Sequence, residues 1–299
     1  MLDPGQKQRL LREIVEKSAP LDPIPTTASP RRNGFSSEIR CIALDVYGTL
    51  VSSSAGDIGL TTVEGRRWAG FAAAAETLGV PADRIEELST AFDAAIAREH
   101  ERGTQRGIQR PEVDIREIWA RVGRAIAPTC TEDPYIASLA ALRFELTVNP
   151  VWPMPGAVET VRALRSAGVR MAIVSNAQFY TPLILEALFG RSVEDLGIAP
   201  AIWSYEYRAA KPSRELFERL VAEMGREEVD AHQILYVGND MLNDVAGAAT
   251  AGLKTALFAG DERSLRLRHD HPDVEGIRPD AVITELSELI GLIKEEPES

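Results

Sequence analysis

The chain has 299 residues, of which 44% are hydrophobic and 26% charged, with a formal net charge of −12 at pH 7. These values are typical of a globular protein with one large or two modest domains. The negative charge disfavours nucleic acid as a partner, and no apolar run approaches the roughly 20 residues of a membrane span. Cys41 and Cys130 are too few for a disulfide framework, so we expect a cytoplasmic protein.

The amino-terminal segment divides into a helix and a linker. Leucine and isoleucine at helical spacing predict a short amphipathic helix over residues 6–17. The Pro-, Ser- and Thr-rich stretch behind it predicts an extended linker, and we assign residues 1–37 to this extension. The apolar run from Arg40 to Val46 then predicts a strand covered on both faces, as in a parallel sheet.

Helices without a strong strand are predicted from Thr61 to Thr147, because apolar residues recur there at three- and four-residue steps. Helices and strands alternate beyond this stretch. The predicted helices are Ala157–Ala167, Thr181–Phe189, Ser213–Met224, Asn243–Ala251 and Glu285–Lys294. The predicted strands are Val169–Val174, Ala201–Ser204, Gln233–Val237, Lys254–Phe258 and residues 280–283.

This alternation predicts an α/β fold with a doubly wound parallel sheet. The helical stretch is then an inserted all-helical domain at residues 57–149, and residues 38–56 and 150–299 form the core domain. Polar residues follow four predicted strands, and ligands bind beyond the carboxyl ends of such strands. In chain order they are Asp45 and Thr49, then Ser175 and Asn176, then Lys211, and finally Asn239, Asp240, Asn243 and Asp244.

Four sequence motifs resemble those of the haloacid dehalogenase-like (HAD) hydrolase superfamily in order and spacing. They are LDVYGTLV, IVSNA, AAKPSRELF and VGNDMLNDVAGAATAG. The resemblance covers roughly residues 38–294, and the helical insert lies where that superfamily places its helical cap. It implies a Rossmann-like core and a hydrolase acting on a small molecule.

The resemblance also implies a role for each motif. Asp45 is the candidate nucleophile, since a carboxylate can form an aspartyl ester and divide a hard displacement into two steps. Thr49 and Ser175, with Asn176 beside them, are expected around the oxygens of a transferring phosphoryl group. Lys211 is expected to supply positive charge to that group and to the nucleophile.

A magnesium ion is expected in this site, because Mg²⁺ takes oxygen ligands. We expect it on Asp45, the backbone carbonyl of Tyr47, Asp240 and Asp244. Counting back from Asp244 leaves Asn239 as an alternative to Asp240.

Tyr47 is a departure from the phosphatase form of the first motif, which has a second aspartate there. A tyrosine with a pKa around 10 is a poor general base at neutral pH. Tyrosine at this position is also similar to the metal-independent 2-haloacid dehalogenase branch, whereas the two acids of NDMLND favour a cation. Asp57 is a candidate replacement for the missing acid. Arg102, Arg106 and Arg110 would select an anionic substrate if their loop folds over the cleft.

The leading hypothesis is a magnesium-dependent phosphatase that hydrolyses a small phosphate ester through an aspartyl-phosphate on Asp45. One alternative is a metal-independent 2-haloacid dehalogenase-type hydrolase. Another is a HAD-fold ligand-binding protein with weakened catalysis. No membrane or nucleic-acid partner is expected, and the amino-terminal helix would pack either on its own domain or on a second subunit of a homodimer.

Overall fold

A computed structural model describes residues 2–32, 35, 38–54, 64–127 and 133–293, and all structural statements concern these residues. None of the helices in these ranges combines the length and apolar character that crossing a bilayer requires.

The described chain is a mixture of helices and short strands. The α-helices are α1 (Pro4–Lys17), α2 (Glu64–Leu78), α3 (Ile85–Gln105), α4 (Ile115–Ile126), α5 (Pro134–Val148), α6 (Ala157–Ser166), α7 (Thr181–Phe189), α8 (Ser204–Tyr207), α9 (Arg214–Gly225), α10 (Gly247–Thr250) and α11 (Leu289–Leu292). The strands are β1 (Arg31–Arg32), β2 (Cys41–Leu44), β3 (Val51–Ser53), β4 (Val151–Pro153), β5 (Arg170–Ser175), β6 (Ile198–Trp203), β7 (Ile234–Gly238), β8 (Lys254–Phe258) and β9 (Ala281–Ile283).

Seven of these strands form one sheet in the order β1-β9-β8-β7-β2-β5-β6. Every pairing from β9 to β6 is parallel, and β1 joins the β9 edge antiparallel. All residues of β2 and β7 are buried, because helices cover both faces of the sheet. The nearly continuous apolar composition of these central strands follows from that double coverage.

The helices α2 to α5 lie between β3 and β4, which pair with each other antiparallel. Their interior is an aromatic cluster in which ring centroids lie 4.6–6.1 Å apart. The rings are those of Phe71, Phe92, Trp119 and Phe144. This helical unit therefore has an apolar core of its own.

The amino-terminal extension packs against both parts of the molecule. Helix α1 contacts α7 of the core and α5 of the helical unit, and its Leu10 and Ile14 are fully buried. The segment behind it follows the core surface, where Ile24 N donates to Asp261 Oδ1 at 2.9 Å and Thr26 Oγ1 donates to the carbonyl of Ala259 at 2.7 Å. It ends in β1.

The predicted fold class is confirmed: a mostly parallel doubly wound sheet carries an inserted helical cap. The short strands β1, β3 and β4 were not predicted. Residues 241–246 form a π-helix ahead of α10, where one α-helix from Asn243 was expected, and the closing helix is shorter than predicted. The residue bounds of the domains remain a prediction.

Candidate active site

The predicted site residues follow neighbouring parallel strands. In the sheet, Leu44 at the end of β2 pairs with Val237 of β7 on one side and with Ile173 of β5 on the other. Asp45 comes directly after Leu44, and its N–H donates to the carbonyl of Val237 at 2.9 Å. The chain ends of β2, β5 and β7 therefore open at the same edge of the sheet.

Lys211 connects two of the acids at this edge. Its Nζ donates to Asp45 Oδ1 at 2.7 Å and to Asp244 Oδ1 at 2.5 Å. All three side chains are buried. The sequence separations are 166 and 33 residues, so the fold alone brings these charges together.

Burial and ion pairing act in opposite directions on these groups. Burial disfavours the Lys211 ammonium, but the carboxylates of Asp244 and Asp45 hold the lysine pKa well above its ordinary value. Burial raises the pKa of Asp244 to about 7, and the nearby ammonium of Lys211 opposes that rise. The ammonium of Lys211 therefore offsets the negative charge of two buried carboxylates, those of Asp45 and Asp244.

Tyr236 on β7 also belongs to this cluster, although a tyrosine within an apolar strand does not by itself indicate a site residue. Its hydroxyl accepts from Lys211 Nζ at 2.9 Å and lies 2.6 Å from the carbonyl oxygen of Val174 and 3.2 Å from Asp244 Oδ1. It therefore contacts both Lys211 and one of the two carboxylates that bind the lysine.

Asn176 and Ser175 lie at the end of β5, as predicted. The amide of Asn176 fixes the Lys211 backbone, because Oδ1 accepts from Lys211 N at 2.6 Å. Asn176 also lines the cavity with Asp45. Ser175 is fully buried, and among the described residues its hydroxyl forms a hydrogen bond with the Asn176 carbonyl alone, at 3.3 Å. Its expected contact with a phosphoryl group stays a prediction.

The turn after Asp45 requires glycine at position 48. Gly48 has φ +80°, and a Cβ there would lie 2.7 Å from both Asn239 Nδ2 and Ser264 Cβ. This close approach allows Thr49 Oγ1 to donate to Asn239 Oδ1 at 3.1 Å. Thr49 is therefore turned towards Asn239 and fully buried, and its expected place beside a phosphoryl group stays a prediction.

The loop after β7 is shaped by a second glycine and by Asp240. A Cβ on Gly238 would lie 2.3 Å from Asp244 Cγ, so only glycine lets that carboxylate fold beneath the loop. Asp240 Oδ1 accepts from the N–H groups of Leu242 and Asn243 and caps the π-helix. Asp240 Oδ2 lies 2.7 Å from Arg268 Nη2.

The phenol of Tyr47 takes part in a buried side-chain contact with α7. It shares a hydrogen bond of 3.0 Å with Thr181 Oγ1 and is buried. Burial, and secondarily the carboxylate of Glu145, raises the Tyr47 pKa above its already high ordinary value. The tyrosine is therefore a protonated structural group and cannot act as a general base.

Few oxygen atoms around Asp45 are available as metal ligands, so the site suits a cation that keeps much of its coordinated water. Asp45 Oδ2 and the carbonyl of Tyr47 accept no hydrogen bond from the described residues. Both carboxylate oxygens of Asp240 and of Asp244 are engaged, and no three His, Cys, Asp or Glu side chains in the described ranges converge as metal ligands. Arg268 and the helix cap hold the Asp240 carboxylate, and its expected role as a direct magnesium ligand stays a prediction.

Arg266 is a site residue that the sequence did not reveal. It lines the same cavity as Asp45 and Lys211. Its Nη1 donates to the carbonyls of Arg263 and Leu265, and its backbone N–H donates to the Asn239 carbonyl at 3.0 Å. No ion pair with a described carboxylate accompanies these bonds, so its positive charge faces the cavity.

The cap loop between α3 and α4 contacts the core beside this edge of the sheet. The carbonyl of Arg110 accepts from Ala210 N at 2.8 Å, and Glu112 N donates to the Arg208 carbonyl at 2.9 Å. The cavity at Asp45 then has a volume of about 30 Å³, room for one or two waters. Arg102 and Arg106 are exposed and do not line the described cavities at Asp45 and Lys211. Asp57 lies outside the described residues.

This site and fold correspond to a known class of enzyme. The model of the haloacid dehalogenase-like hydrolase family matches residues 39–252, and the chain belongs to that family. Among solved structures, a 2-haloacid dehalogenase from Pseudomonas syringae pv. Tomato superposes with a TM-score of 0.51 over 85% of this chain and 97% of that one. At 22% identity this likeness concerns the fold alone.

Two curated relatives are phosphatases. The chain is 30% identical over 105 residues to phospholysine phosphohistidine inorganic pyrophosphate phosphatase of Bos taurus, covering 33% of this chain and 36% of that protein. It is 33% identical over 112 residues to ribulose-1,5-bisphosphate 5-phosphatase of Halopiger xanaduensis, covering 37% of this chain and 44% of that protein. The chain thus spans less than half the length of each relative.

Proposed function

We propose that this HAD-like hydrolase is a magnesium-dependent phosphatase of a small phosphorylated metabolite. The observation that carries the proposal is the Asp45 carboxylate, which has Oδ1 fixed by Lys211 and Oδ2 without a hydrogen bond from the described residues. A fixed carboxylate with one available oxygen in a closed cavity is suited to nucleophilic attack. The two phosphatase relatives support this choice of reaction.

In the proposed reaction, Asp45 Oδ2 attacks phosphorus and the ester P–O bond breaks, so the phosphoryl group passes to Asp45 and the leaving group departs as an alkoxide or phenolate that takes its proton from water. Water then attacks the aspartyl-phosphate, breaks its P–O bond and releases inorganic phosphate. The ammonium of Lys211 and the guanidinium of Arg266 offset the negative charge on the transferring group.

Magnesium is proposed to bind the Asp45 carboxylate and the Tyr47 carbonyl, with Asn239 and Asp244 reached through water. When bound, it supplies positive charge to the phosphoryl oxygens. Asp244 is proposed to keep Lys211 charged as well as to orient this water. Thr49, Ser175 and Asn176 are proposed to shape the phosphoryl site mainly through their backbone groups and the Asn176 amide.

We propose that the phenol of Tyr47, which is buried and hydrogen-bonded to Thr181, supplies no proton to the leaving group. The rate should therefore depend strongly on how stable the leaving group is as an anion. We expect p-nitrophenyl phosphate to turn over faster than an alkyl phosphate.

The test is hydrolysis of p-nitrophenyl phosphate with magnesium and with a chelator. We expect activity that the chelator removes and that Asp45→Asn abolishes. The control is Asp195→Asn, which removes an exposed carboxylate far along the chain and should leave the rate unchanged. Equal rates for Asp45→Asn and the parent protein would refute the proposal.

A second candidate is a metal-independent hydrolase of the 2-haloacid type. It is favoured by the engagement of Asp240 with Arg268 and of Asp244 with Lys211, which leaves few direct ligands for a cation. Here Asp45 would attack carbon, halide would leave without a proton, and water would hydrolyse the ester. Halide release from 2-chloropropionate in the presence of chelator would favour this candidate. Saturable binding of a phosphate ester with no product would instead favour a ligand-binding protein.

A further inference from the structure

A groove continues from the catalytic cavity towards solvent. It has a volume of about 570 Å³, within the range of small-molecule sites, and shares Lys211 and Asn243 with the cavity at Asp45. Gln109, Arg110 and Pro111 of the cap form one wall. A molecule whose phosphoryl group lies at Asp45 would extend into this groove.

The charge of the groove opposes that of the whole protein. Its lining contains Lys211, Arg110, Arg268, His100 and His271, and no aspartate or glutamate among the described residues. The chain as a whole carries a net charge of −12. Lys211 and Arg268 are paired with carboxylates of the neighbouring cavity, so within this acid-free lining the guanidinium of Arg110 is the positive charge best able to attract an anion.

Arg110 is the cation in this wall that is best placed to bind a ligand. Arg268 is already engaged with Asp240 at 2.7 Å. The guanidinium of Arg110 is exposed and forms no ion pair with a carboxylate in the described ranges. Its backbone is fixed, because its carbonyl accepts from the N–H of Ala210, the residue before Lys211.

We propose that this groove binds the leaving-group part of the substrate, and that it selects leaving groups carrying a carboxylate or a second phosphate. Arg110 is the specificity-determining residue, since a guanidinium fork matches the oxygens of either group. This inference rests on the proposed function, because the groove is defined relative to a phosphoryl group at Asp45.

The test compares esters that differ only in the second anion. The pairs are 3-phosphoglycerate against glycerol 3-phosphate, and fructose 1,6-bisphosphate against fructose 6-phosphate. For the parent protein we expect kcat/KM to favour the more anionic member of at least one pair by about tenfold. The preferred pair identifies whether carboxylate or phosphate is recognised.

Arg110→Gln should reduce this preference to near unity, because the more anionic ester loses the partner of its second anion. Arg106→Gln, an exposed arginine of the same loop, should retain the preference. Arg266→Gln should lower kcat/KM for both members of a pair equally, because Arg266 lies in the cavity itself. Absence of a preference in the parent protein, or its survival in Arg110→Gln, would overturn the inference.

Failure of the proposed function is separable from failure of this inference. If no ester is hydrolysed, calorimetry can still measure the binding of the same pairs to Asp45→Asn, and the ratio of the two affinities gives the preference. The double variant Asp45→Asn/Arg110→Gln should then bind both members of a pair equally. Equal affinities for both members of both pairs in Asp45→Asn would reject the anionic groove whatever the reaction. Arg110→Lys keeps the positive charge but lacks the guanidinium fork, so it should give an intermediate preference. It also provides a second test of this position if the glutamine variant does not fold.

Discussion

The hydroxyl of Tyr236 lies 2.9 Å from Lys211 Nζ, and this contact joins a core strand to the only described ammonium beside Asp45. The hydroxyl is also within 2.6 Å of the Val174 carbonyl, so one phenol links β5, β7 and the lysine. Tyr236, whose apolar strand context is typical of a packing residue, therefore belongs to the polar cluster around Lys211.

Tyr236→Phe should lower the free energy of unfolding by about 1–3 kcal/mol, because the buried Val174 carbonyl and Lys211 each lose a partner. Activity on p-nitrophenyl phosphate should fall as well. Urea unfolding and steady-state rates measure these effects. The control is Tyr207→Phe, whose hydroxyl bonds to no described residue. Equal stability of the two variants would contradict the role of Tyr236.

Lys211→Met should lower the free energy of unfolding by about 3–5 kcal/mol, since it leaves Asp45 and Asp244 buried without their ammonium. Lys254→Met removes a more exposed lysine, 3.6 Å from Asp280, and should cost at most about 1 kcal/mol. Urea unfolding of both variants is the measurement.

The destabilisation by Lys211→Met should depend on pH. Burial raises the pKa of Asp244 above its value in the unfolded chain, and removing the ammonium raises it further. A group with a raised folded pKa stabilises the fold at low pH and loses that contribution as pH rises through the folded pKa. The loss in free energy of unfolding of Lys211→Met relative to the parent protein should therefore be larger at about pH 8 than at about pH 5. A deficit that grows as pH falls would contradict this assignment.

The Cys41 thiol should be unreactive in the native protein. It is fully buried in β2, and burial, with Glu227 secondarily, raises its pKa to about 12. In Cys130→Ser, which leaves Cys41 as the single thiol, Ellman's reagent should detect no thiol until denaturant is added. Rapid reaction of the folded variant would show that β2 opens readily.

Leu10→Ala should lower the free energy of unfolding by about 2–5 kcal/mol, because Leu10 of α1 is fully buried. Val15→Ala on the same helix is the matched control, since Val15 is 58% exposed and should change stability little. Denaturant unfolding compares them. If the two variants are equally stable, α1 contributes no packing to the folded protein.

The sheet and the position of Asp45 could be predicted because both follow from local patterns. A buried parallel strand requires a continuous apolar run, and an acid directly after such a run lies at the edge where ligands bind. The polar residues ending neighbouring strands could be placed together for the same reason.

The rest of the site depends on contacts between distant residues. Tyr236 lies within an apolar strand, where aromatic residues usually serve packing, and only the folded position of Lys211 gives its hydroxyl a role. Arg266 occurs in the charged segment DERSLRLRHD, whose pattern is typical of a solvated surface. Arg268 Nη2 lies 2.7 Å from Asp240 Oδ2, a contact that the spacing of NDMLND does not indicate. The strands β1, β3 and β4 have two or three residues each, too few for a periodic signal.

Helix α1 makes Lys7–Glu186 and Glu13–Arg143 ion pairs, the first with the core and the second with the cap. The amino-terminal segment, which precedes the family match, therefore bridges the two parts of the molecule. Any displacement of the cap relative to the core would have to break the contacts of α1 with either α7 or α5.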